Sequence, residues 1–521
     1  MSGSRPPWAG SDPLIQRHDP PLPADVPVRP RRVAVVGGGI AGLAAATALA
    51  ERGVAVELLE KQPYLGGRVG AWPDRLRDGS DVTMSRGFHA FFKQYYNLRH
   101  LLARTDPALE RLTPVGDYPL IDGQGRADSF RGLPRRPPWN ALGFAWRSPT
   151  FALGDMLRLN PRAAMPLATV QVSQVYERLD DLAADELLDA INFPAAARHL
   201  AFEVFSRSFF ARPGDLSAAE LAVMFHIYFL GSSEGLLFDV PTDTFAASLW
   251  DPLDSYLTDL GVKLRTGTSV DGIEPGGDLR YRVHTGDGPL DADAIVLATD
   301  SAGLREIASA SPDLGDPAWR DQLARMRSAP PFVVHRLWLD RPLALHRAPF
   351  LGTSGWGPLD NISILDRYES EALHWALEHR GSVVELHAYA APIDDQPDQA
   401  AVSDELVQQL YKIYPEAAAA QVVDSRTLLR QDCPLFAPGG FADRPTVTTP
   451  DDGIVLAGDG IRIDLPVALM ERAATTGLHA ANVLLARFGL QGHDLFTVPN
   501  HGRFQPLQRL ARRSGSRADR S

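Results

Sequence analysis

The chain has 521 residues, a length that suggests roughly two to four domain-sized units rather than one simple core. Its formal net charge of −12 argues against a nucleic-acid partner, because binding to phosphates requires a basic face. The single cysteine, Cys433, excludes an intramolecular disulfide and a multi-cysteine metal site, and it fits a reducing cytoplasm. We therefore expect a cytoplasmic protein without a bound metal.

Both ends of the chain are predicted to be irregular. Residues 1–30 contain eight prolines and little apolar periodicity, which predicts a disordered leader. Residues 491–521 are predicted to form a C-terminal tail, disordered in its polar, basic last part at 511–521. Between these ends predicted strands alternate with helices, so we expect an α/β fold.

A glycine-rich turn follows the first predicted strand, the β-branched run at 32–36. Gly37, Gly39 and Gly42 have the G-x-G-x-x-G spacing of dinucleotide-binding turns. The first glycine permits the tight turn, the second lets backbone approach a pyrophosphate, and the third lets helix pack on strand. Ile40 and Ala41 begin an alanine-rich helix whose positive N-terminal end faces the phosphates.

A carboxylate ends the second predicted strand, at 54–59. Glu60 lies 23 residues after Gly37, where it can accept hydrogen bonds from both ribose hydroxyls and repel a 2′-phosphate. Lys61 adjoins it and belongs to the same candidate site. These features predict dinucleotide binding without distinguishing NAD from FAD.

Two further motifs resemble those of flavin-containing amine oxidases and carotenoid desaturases. Gly66-Gly67-Arg68 is similar to a motif in which the arginine lies along the pyrophosphate, a contact between opposite charges. Far along the chain, a predicted strand ends in Gly458-Asp459 and leads to a predicted helix at 466–485. In those families the aspartate binds the ribityl or pyrophosphate region, and the helix N-terminus, here Val467 and Ala468, points at the flavin ring. The resemblance implies that the cofactor is FAD.

The same resemblance implies a Rossmann-like FAD-binding domain of the amine-oxidase type, assembled from residues 31–100, 241–305 and 431–490. Backbone near Val270, in the middle part, would meet the adenine; an ordinary buried strand residue is the alternative reading of this position. An inserted substrate-binding domain would occupy 306–430, and a helical substrate-binding and membrane-facing region 101–240.

The stretch from Gly87 to Leu98 points to one branch of this superfamily. It resembles the pattern G-[LF]-H-x-F-F-x-x-Y-x-N-L of plant-type phytoene and ζ-carotene desaturases at most of its positions. Within that group, segments 85–92 and 458–474 are most similar to the carotenoid φ-ring synthases, also called isorenieratene synthases or β-carotene desaturase/methyltransferases. Ser85-Arg86 replaces an acidic residue of the acyclic-carotene desaturases, and the Asp464-Leu465-Pro466 entry to the last helix also differs.

This resemblance implies an FAD-dependent carotenoid oxidoreductase that desaturates and aromatises the β-ionone ring of β-carotene. One methyl group migrates by a 1,2-shift, and the product is the φ-type carotenoid isorenieratene. One alternative is an FAD-dependent desaturase or isomerase that acts on an acyclic carotene. The other is a flavin-free prenyl-lipid binding protein on the same fold.

His89, Asp464 and Glu471 are the candidate acid–base residues near the ring. His89 could instead be a hydrogen-bonded histidine that shapes its loop, and Asp464 an N-cap of the last helix. Glu471 could instead form an ion pair with Arg472 or Arg68. A set of aromatic residues at helical spacings predicts either plain core or a tunnel for a polyene: Phe202, Phe205, Phe209, Phe210, Phe225, Tyr228 and Phe229.

Residues 133–147 combine arginines, tryptophans and leucines with no acidic residue. This composition is typical of an interfacial membrane anchor, and a proline-rich surface loop is the alternative. Because a carotenoid resides in the bilayer, we expect peripheral association with the inner face of the cell membrane. The remaining expected partners are the carotenoid itself and an electron acceptor, either a quinone or oxygen.

Overall fold

The computed structural model describes residues 6–151, 153–198, 207–390 and 399–503. The strands, in chain order, are β1 (Gln16–His18), β2 (Arg32–Val36), β3 (Ala55–Glu60), β4 (Ala71–Arg75), β5 (Asp81–Ser85), β6 (Phe91–Phe92), β7 (Leu112–Pro114), β8 (Leu120–Asp122), β9 (Ala127–Asp128), β10 (Phe238–Pro241), β11 (Lys263–Thr266), β12 (Val270–Pro275), β13 (Tyr281–Thr285), β14 (Leu290–Ala292), β15 (Ala294–Leu297), β16 (Phe332–Leu339), β17 (Phe350–Ser354), β18 (Asn361–Ile364), β19 (Ser382–Ala388), β20 (Val422–Arg430), β21 (Ile454–Leu456) and β22 (Leu495–Thr497). The α-helices are α1 (Ile40–Ala50), α2 (Tyr96–Leu102), α3 (Trp139–Arg147), α4 (Leu153–Arg158), α5 (Pro161–Ala168), α6 (Val172–Leu179), α7 (Ala184–Ile191), α8 (Ala218–Phe225), α9 (Asp251–Asp259), α10 (Ser301–Ala310), α11 (Pro317–Ala324), α12 (Ser370–His379), α13 (Gln399–Ile413) and α14 (Leu469–Arg487).

A five-stranded parallel sheet, in the order β11-β3-β2-β15-β21, forms the nucleotide-binding part. Its strands come from three distant parts of the chain, as the sequence predicts for an α/β fold of this type. The central strands are short apolar runs buried on both faces, which is typical of parallel sheets covered by helices. We call it the nucleotide sheet.

Helices α1 and α14 pack closely on each other beside the nucleotide sheet. A Cβ atom on Gly477 would lie 2.2 Å from the Ala41 carbonyl oxygen, so only glycine lets the two backbones approach this far. The last helix begins at Leu469 and ends at Arg487, somewhat later at both ends than predicted. The packing fixes the N-terminal ends of the two helices relative to each other.

A seven-stranded sheet, in the order β20-β16-β19-β18-β17-β8-β9, forms the inserted domain, and we call it the substrate sheet. Helix α13 covers part of it with buried Leu406 and Leu410. Strands β8 and β9 lie in the region predicted to be helical, so that region also contributes to this sheet. Helices α3 to α8 follow β9, and within the described ranges no helix is long and apolar enough to cross a bilayer.

The prediction of a disordered leader is wrong for residues 6–30. Strand β1 pairs with β22 near the other end of the chain, and Trp8 stacks on His100 at 4.0 Å. Asp12 is fully buried and forms an ion pair with Arg503. The prolines are compatible with this structure because tertiary contacts, rather than a regular helix or sheet pattern, keep the segment in place. Residues 491–503 likewise belong to the folded core, whereas the predicted disorder at 511–521 lies outside the described residues.

Candidate active site

A cavity of about 630 Å³ lies between the nucleotide sheet and the substrate sheet. Glycine backbone from the first sheet lines one side, at Gly37, Gly39, Gly67 and Gly458. Side chains carried mainly by the second sheet and its neighbours line the other. We call these the nucleotide side and the substrate side of the cavity.

The glycine turn has the geometry that its spacing predicts. Gly37 has φ +108°, and a Cβ there would lie 2.5 Å from the Ala298 carbonyl oxygen. A Cβ on Gly42 would lie 1.8 Å from the Gly37 carbonyl oxygen. Gly42 therefore acts through helix–strand packing and does not itself line the cavity.

The N-terminal end of α1 lies at the cavity. Gly39 is the N-cap residue, and it has no side chain that could cap the helix. Ile40 and Ala41 line the cavity beside it. An uncapped helix N-terminus of this kind favours an anion. Gly67 approaches Gly39 so closely that a Cβ on it would lie 3.0 Å from the Gly39 Cα. These two glycines leave a cradle that fits a pyrophosphate.

Glu60 is held at the end of β3 with its carboxylate fixed by backbone. Its two oxygens accept hydrogen bonds from Gly38 N at 2.6 Å and Gln62 N at 2.8 Å. Glu60 and Lys61 line the cavity, and so does Val270 at the start of β12. All three predicted residues therefore lie at the cavity, and the contacts of Glu60 with ribose and of Val270 with adenine stay predictions.

Arg68 forms an ion pair with Asp459, and both residues line the cavity. Burial alone would lower the pKa of Arg68, but the Asp459 carboxylate raises it well above its ordinary value. Gly458, before Asp459, donates its N–H to the Thr476 hydroxyl at 2.9 Å, which ties the end of β21 to α14. The pair thus links the two distant motifs that resemble the flavin-binding motifs.

The N-terminal end of α14 reaches the cavity with residues that begin two positions later than predicted. Leu469, Met470 and Ala473 line the cavity, whereas Val467 and Ala468 are buried behind the surface and do not. Leu469 has φ +55°, a left-handed conformation that is strained for a leucine. Val467 and Ala468, predicted to bind the cofactor at the N-terminus of this helix, therefore do not line the cavity, and Leu469 and Met470 do.

Of the three candidate acid–base residues, only His89 lines the cavity. Its Nδ1 lies 2.8 Å from the Gly87 carbonyl oxygen, and its ring meets Phe245 edge-on at 5.6 Å. Burial lowers the pKa of His89 to about 4, so its ring is neutral near pH 7. In the neutral ring Nδ1–H donates to Gly87, which leaves the lone pair on Nε2.

Asp464 is exposed, with an ion pair to Arg462 at 3.5 Å, and does not line the cavity. It is not an N-cap either, because α14 begins five residues later, after Ala468. The prediction of a catalytic Asp464 is wrong. The loop between β21 and α14 carries it away from the site.

Glu471 is also outside the cavity, on the face of α14 that packs against α2. Its oxygens accept hydrogen bonds from Asn97 N at 2.8 Å, Asn97 Nδ2 at 2.9 Å and Leu98 N at 2.9 Å. Burial raises the pKa of Glu471 to about 8, although these donors act in the opposite direction. Glu471 caps the first turn of α2, so the prediction of a catalytic role is wrong, and it pairs with neither Arg472 nor Arg68.

An aromatic cluster forms much of the substrate side. Phe88 lies 4.4 Å from Phe350 and 5.5 Å from Phe238, measured between ring centroids, and Tyr118 lies 5.1 Å from Phe350. Of the aromatic set predicted from helical spacing, Phe209 and Phe210 line the cavity, while Phe225, Tyr228 and Phe229 pack elsewhere in the core. Phe202 and Phe205 lie outside the described residues.

Several cavity residues are missed by sequence reasoning. Arg86 pairs with Asp432, and His387, Tyr389 and Asn361 line the cavity from the substrate sheet. The available signal was a row of polar residues, Glu385, His387 and Tyr389, at alternate positions of an apolar strand. That alternation places them on one face, but it does not say which face meets the cofactor.

Comparison with known proteins agrees with this geometry. The family model described as flavin containing amine oxidoreductase matches residues 40–485. The fold is similar to that of a putrescine oxidase of redesigned cofactor binding, with a TM-score of 0.63 and 16% identity over 88% of this chain and 100% of that one.

Two curated relatives carry the same name. The carotenoid phi-ring synthase of Streptomyces griseus is 60% identical over 481 residues, 92% of each chain. The carotenoid phi-ring synthase of Chlorobaculum tepidum is 26% identical over 91% of each chain. The glycine turn, the Glu60 carboxylate and the Arg68–Asp459 pair fit FAD. The chain is an FAD-dependent oxidoreductase that belongs to the flavin containing amine oxidoreductase family and, within it, to the family of the Streptomyces protein.

Proposed function

We propose that this protein converts the β-ionone ring of β-carotene to a trimethylphenyl ring. The conversion removes four hydrogens from the ring and moves one geminal methyl group to the neighbouring carbon. Because the methyl group stays in the molecule, no methyl donor is required. When bound, FAD supplies the oxidation, taking two electrons with each pair of hydrogens removed.

The observation that carries this proposal is the 60% identity to the Streptomyces relative over 92% of the chain. The cavity is consistent with it, because aromatic side chains face the place where the ring would lie against the flavin. The faces of Phe88, Phe238 and Phe350 can stabilise positive charge on a ring carbon without donating or accepting a proton. Their rigid packing would also hold the ring in one orientation.

Expression in a host that accumulates β-carotene tests the proposal directly. We expect a pigment four mass units below β-carotene for one converted ring and eight for two, with aryl methyl signals by NMR. Product from an acyclic carotene, with longer conjugation and untouched end groups, would identify a desaturase or isomerase instead. Purified protein without flavin absorbance would favour the lipid-binding alternative.

We also propose that the protein takes its substrate from an anionic membrane through helix α3. Trp139, Leu142 and Trp146 are exposed, with Trp146 79% accessible, and their spacing places them on one face of the helix. The opposite face is anchored, since Asn140 donates to the Phe229 carbonyl oxygen at 2.6 Å and Phe144 stacks on Phe130. The apolar face therefore points away from the protein.

The chain on either side of this apolar face is rich in positive charge. Residues 131–162 contain one acidic residue, Asp155, and six exposed arginines: Arg131, Arg135, Arg136, Arg147, Arg158 and Arg162. Each basic residue near an anionic surface contributes roughly 1 kcal/mol, so a few arginines with two indoles suffice for reversible docking. This arrangement supports peripheral association with the inner face of the cell membrane.

Co-sedimentation with anionic liposomes tests the docking. The Trp139→Ser/Trp146→Ser variant should sediment much less than wild type while its flavin content stays the same. A matched control, Leu345→Ser/Leu377→Ser, removes exposed apolar side chains elsewhere and should sediment normally. Equal sedimentation of the tryptophan variant and wild type would contradict the proposal.

Docking at a membrane would also bring the protein beside lipid-soluble quinones, and we propose a quinone or oxygen as the electron acceptor. Turnover under anaerobic conditions, with and without added quinone, distinguishes the two. Turnover restored by quinone identifies the quinone, and turnover only in air identifies oxygen.

A further inference from the structure

A polar row crosses the otherwise apolar substrate sheet. Glu385 and His387 lie at alternate positions of β19, and Tyr389 follows at the next alternate position, so the three share a face. Arg336 on β16 lies directly opposite Glu385, and Asn361 on β18 directly opposite His387. The strand register therefore assembles a continuous polar row from three strands.

Hydrogen bonds join the row from end to end. The Tyr389 hydroxyl lies 2.9 Å from His387 Nδ1, and Asn361 Nδ2 donates to the hydroxyl oxygen at 2.8 Å. His387 Nε2 lies 2.8 Å from Glu385 Oε1, and Arg336 donates to Glu385 Oε2 from Nε at 3.0 Å and from Nη2 at 2.8 Å. Phe88 N also approaches His387 Nε2, at 3.4 Å, but the shorter contact with the Glu385 carboxylate assigns the proton to Nε2, so Nδ1 carries the lone pair and accepts the Tyr389 proton.

One end of the row meets the cavity and the other is sealed in the core. Tyr389, His387 and Asn361 line the cavity, whereas Glu385 and Arg336, 0% and 3% exposed, do not and border only a small separate void. The ring of Phe210 meets Tyr389 edge-on at 4.9 Å and holds it in place. The loop of His89 also rests on the row, because a Cβ on Gly87 would lie 2.5 Å from His387 Cε1.

At the buried end of the row, the Glu385 carboxylate carries a negative charge beside His387. Burial would raise the pKa of Glu385, but the Arg336 guanidinium and the His387 hydrogen bond hold it at about 2. Glu385 is therefore ionised near neutral pH and can stabilise a positive charge on the imidazole.

The proposed ring chemistry needs a proton acceptor. In the first dehydrogenation a hydride leaves the allylic ring carbon C4 and a proton leaves C3, which forms the C3–C4 double bond. In the second a hydride leaves C2, the methyl group moves from C1 to C2, and the positive charge moves to C1. Loss of the remaining C2 hydrogen as a proton then completes the aromatic ring. Each ring thus releases two protons in addition to two hydrides.

We propose, on the basis of the proposed function, that Tyr389 accepts these protons and passes its own hydroxyl proton to His387. The ring C–H bond breaks as the Tyr389 O–H bond forms, and the original O–H bond breaks as His387 Nδ1–H forms. The imidazolium is stabilised by Glu385, so His387 and Glu385 act as positioning and charge-stabilising residues. His387 holds one proton at a time, so the proton returns through Tyr389 to water in the cavity after the first dehydrogenation, before the second begins, and again when the product leaves.

Tyr389→Phe and His387→Gln test the relay with little change in volume. Each variant should keep its flavin absorbance, its thermal unfolding midpoint and its KM for β-carotene, while kcat falls by about 100-fold or more. Binding of β-carotene, followed by quenching of flavin fluorescence, should also be unchanged. The control Tyr256→Phe removes a tyrosine hydroxyl that donates to Glu51 at 2.9 Å, outside the cavity, and should leave kcat unchanged.

The outcomes separate this proposal from the proposed function. If wild type makes the aromatic product and Tyr389→Phe has nearly the same kcat as wild type, the relay is wrong and the proposed function stands. Absence of aromatic product from wild type overturns the proposed function, and the relay with it. If His387→Gln loses flavin or unfolds, Tyr389→Phe decides. A raised KM with unchanged kcat in Tyr389→Phe would assign Tyr389 to binding and also overturn the relay.

Discussion

The two sides of the cavity are lined by different kinds of groups. The nucleotide side presents backbone, with Gly37, Gly39 and Gly67 where side chains would otherwise stand. The substrate side presents side chains, such as Phe88 and Phe350, carried on strands and loops. One added carbon on the nucleotide side meets backbone or the cofactor, whereas an aromatic on the substrate side can be exchanged for another of similar volume. We infer that the backbone conformation sets where the cofactor binds and that the side chains set which substrate binds.

The largest effect should come from Gly42→Ala, which would break the nucleotide side by destroying its packing. The new Cβ would lie 1.8 Å from the Gly37 carbonyl oxygen and 3.0 Å from its carbonyl carbon, and neither can move without shifting β2 or α1. Overpacking of this kind costs about 3 kcal/mol or more of unfolding free energy. We expect mostly insoluble protein, and urea unfolding of any soluble fraction measures the loss. Wild-type stability would contradict the close packing of strand on helix.

Gly39→Val should remove the flavin and leave the fold. The nearest atom to a Cβ at Gly39 is the Gly67 Cα, at 3.8 Å, so the protein itself has room for a side chain. The valine would occupy the space where the pyrophosphate approaches the backbone. We expect folded, colourless protein, checked by circular dichroism and by absorbance near the flavin bands. A yellow, fully loaded variant would show that the pyrophosphate does not lie there.

His89→Ala probes the junction between the two sides. The residue lines the cavity and is tied to the Gly87 carbonyl, so its removal should leave flavin content unchanged and slow turnover by about 100-fold. Because burial lowers the pKa of His89 to about 4, its charge should not change between pH 6 and 8. Activity of wild type in that range should therefore show no titration due to His89. The control His284→Ala, on β13 with a side chain 44% exposed and outside the cavity, should have normal turnover.

The sequence predicts the nucleotide side well because its function is local. Gly37, Gly39 and Gly42 act through spacing along one turn, and Glu60 follows from the length of one strand and helix. Arg68 and Asp459 were found through resemblance, although 391 positions separate them. Their contact itself is a property of the folded sheet.

The substrate side could not be predicted in the same way. Phe88, Phe238 and Phe350 meet only because the loop between β5 and β6 converges with the first residues of β10 and β17, and no local pattern marks this contact. Asp464 and Glu471 were misassigned for a related reason. Closeness in sequence to the entry of α14 does not specify direction, and the loop and the helix turn both side chains away from the cavity.

Glu471→Gln should change the pH dependence of stability and leave the site intact. Burial raises the pKa of Glu471 from the usual 4.5 to about 8 in the folded protein. Between these values the folded state binds more protons than the unfolded state, so this carboxyl lowers the unfolding free energy as pH rises from 4.5 towards 8. Glutamine cannot titrate. The difference in unfolding free energy, wild type minus variant, should therefore fall from pH 5 to pH 8 in urea titrations, with flavin content unchanged. A constant difference would contradict the raised pKa.

Asp464→Asn should have the smallest effect of the set. The Asp464 side chain is 58% exposed, and its ion pair with Arg462, at 3.5 Å, lies in solvent, where such pairs contribute about 1 kcal/mol or less. The residue lies outside the lining of the cavity, so asparagine at this position removes no group that can reach the ring. We expect normal flavin content and turnover within about twofold of wild type, since surface changes of this kind are nearly neutral. A loss as large as that of His89→Ala would mean that the loop before α14 folds over the cavity when substrate binds, and that the substrate side includes more of the chain than the sheet and its aromatic cluster.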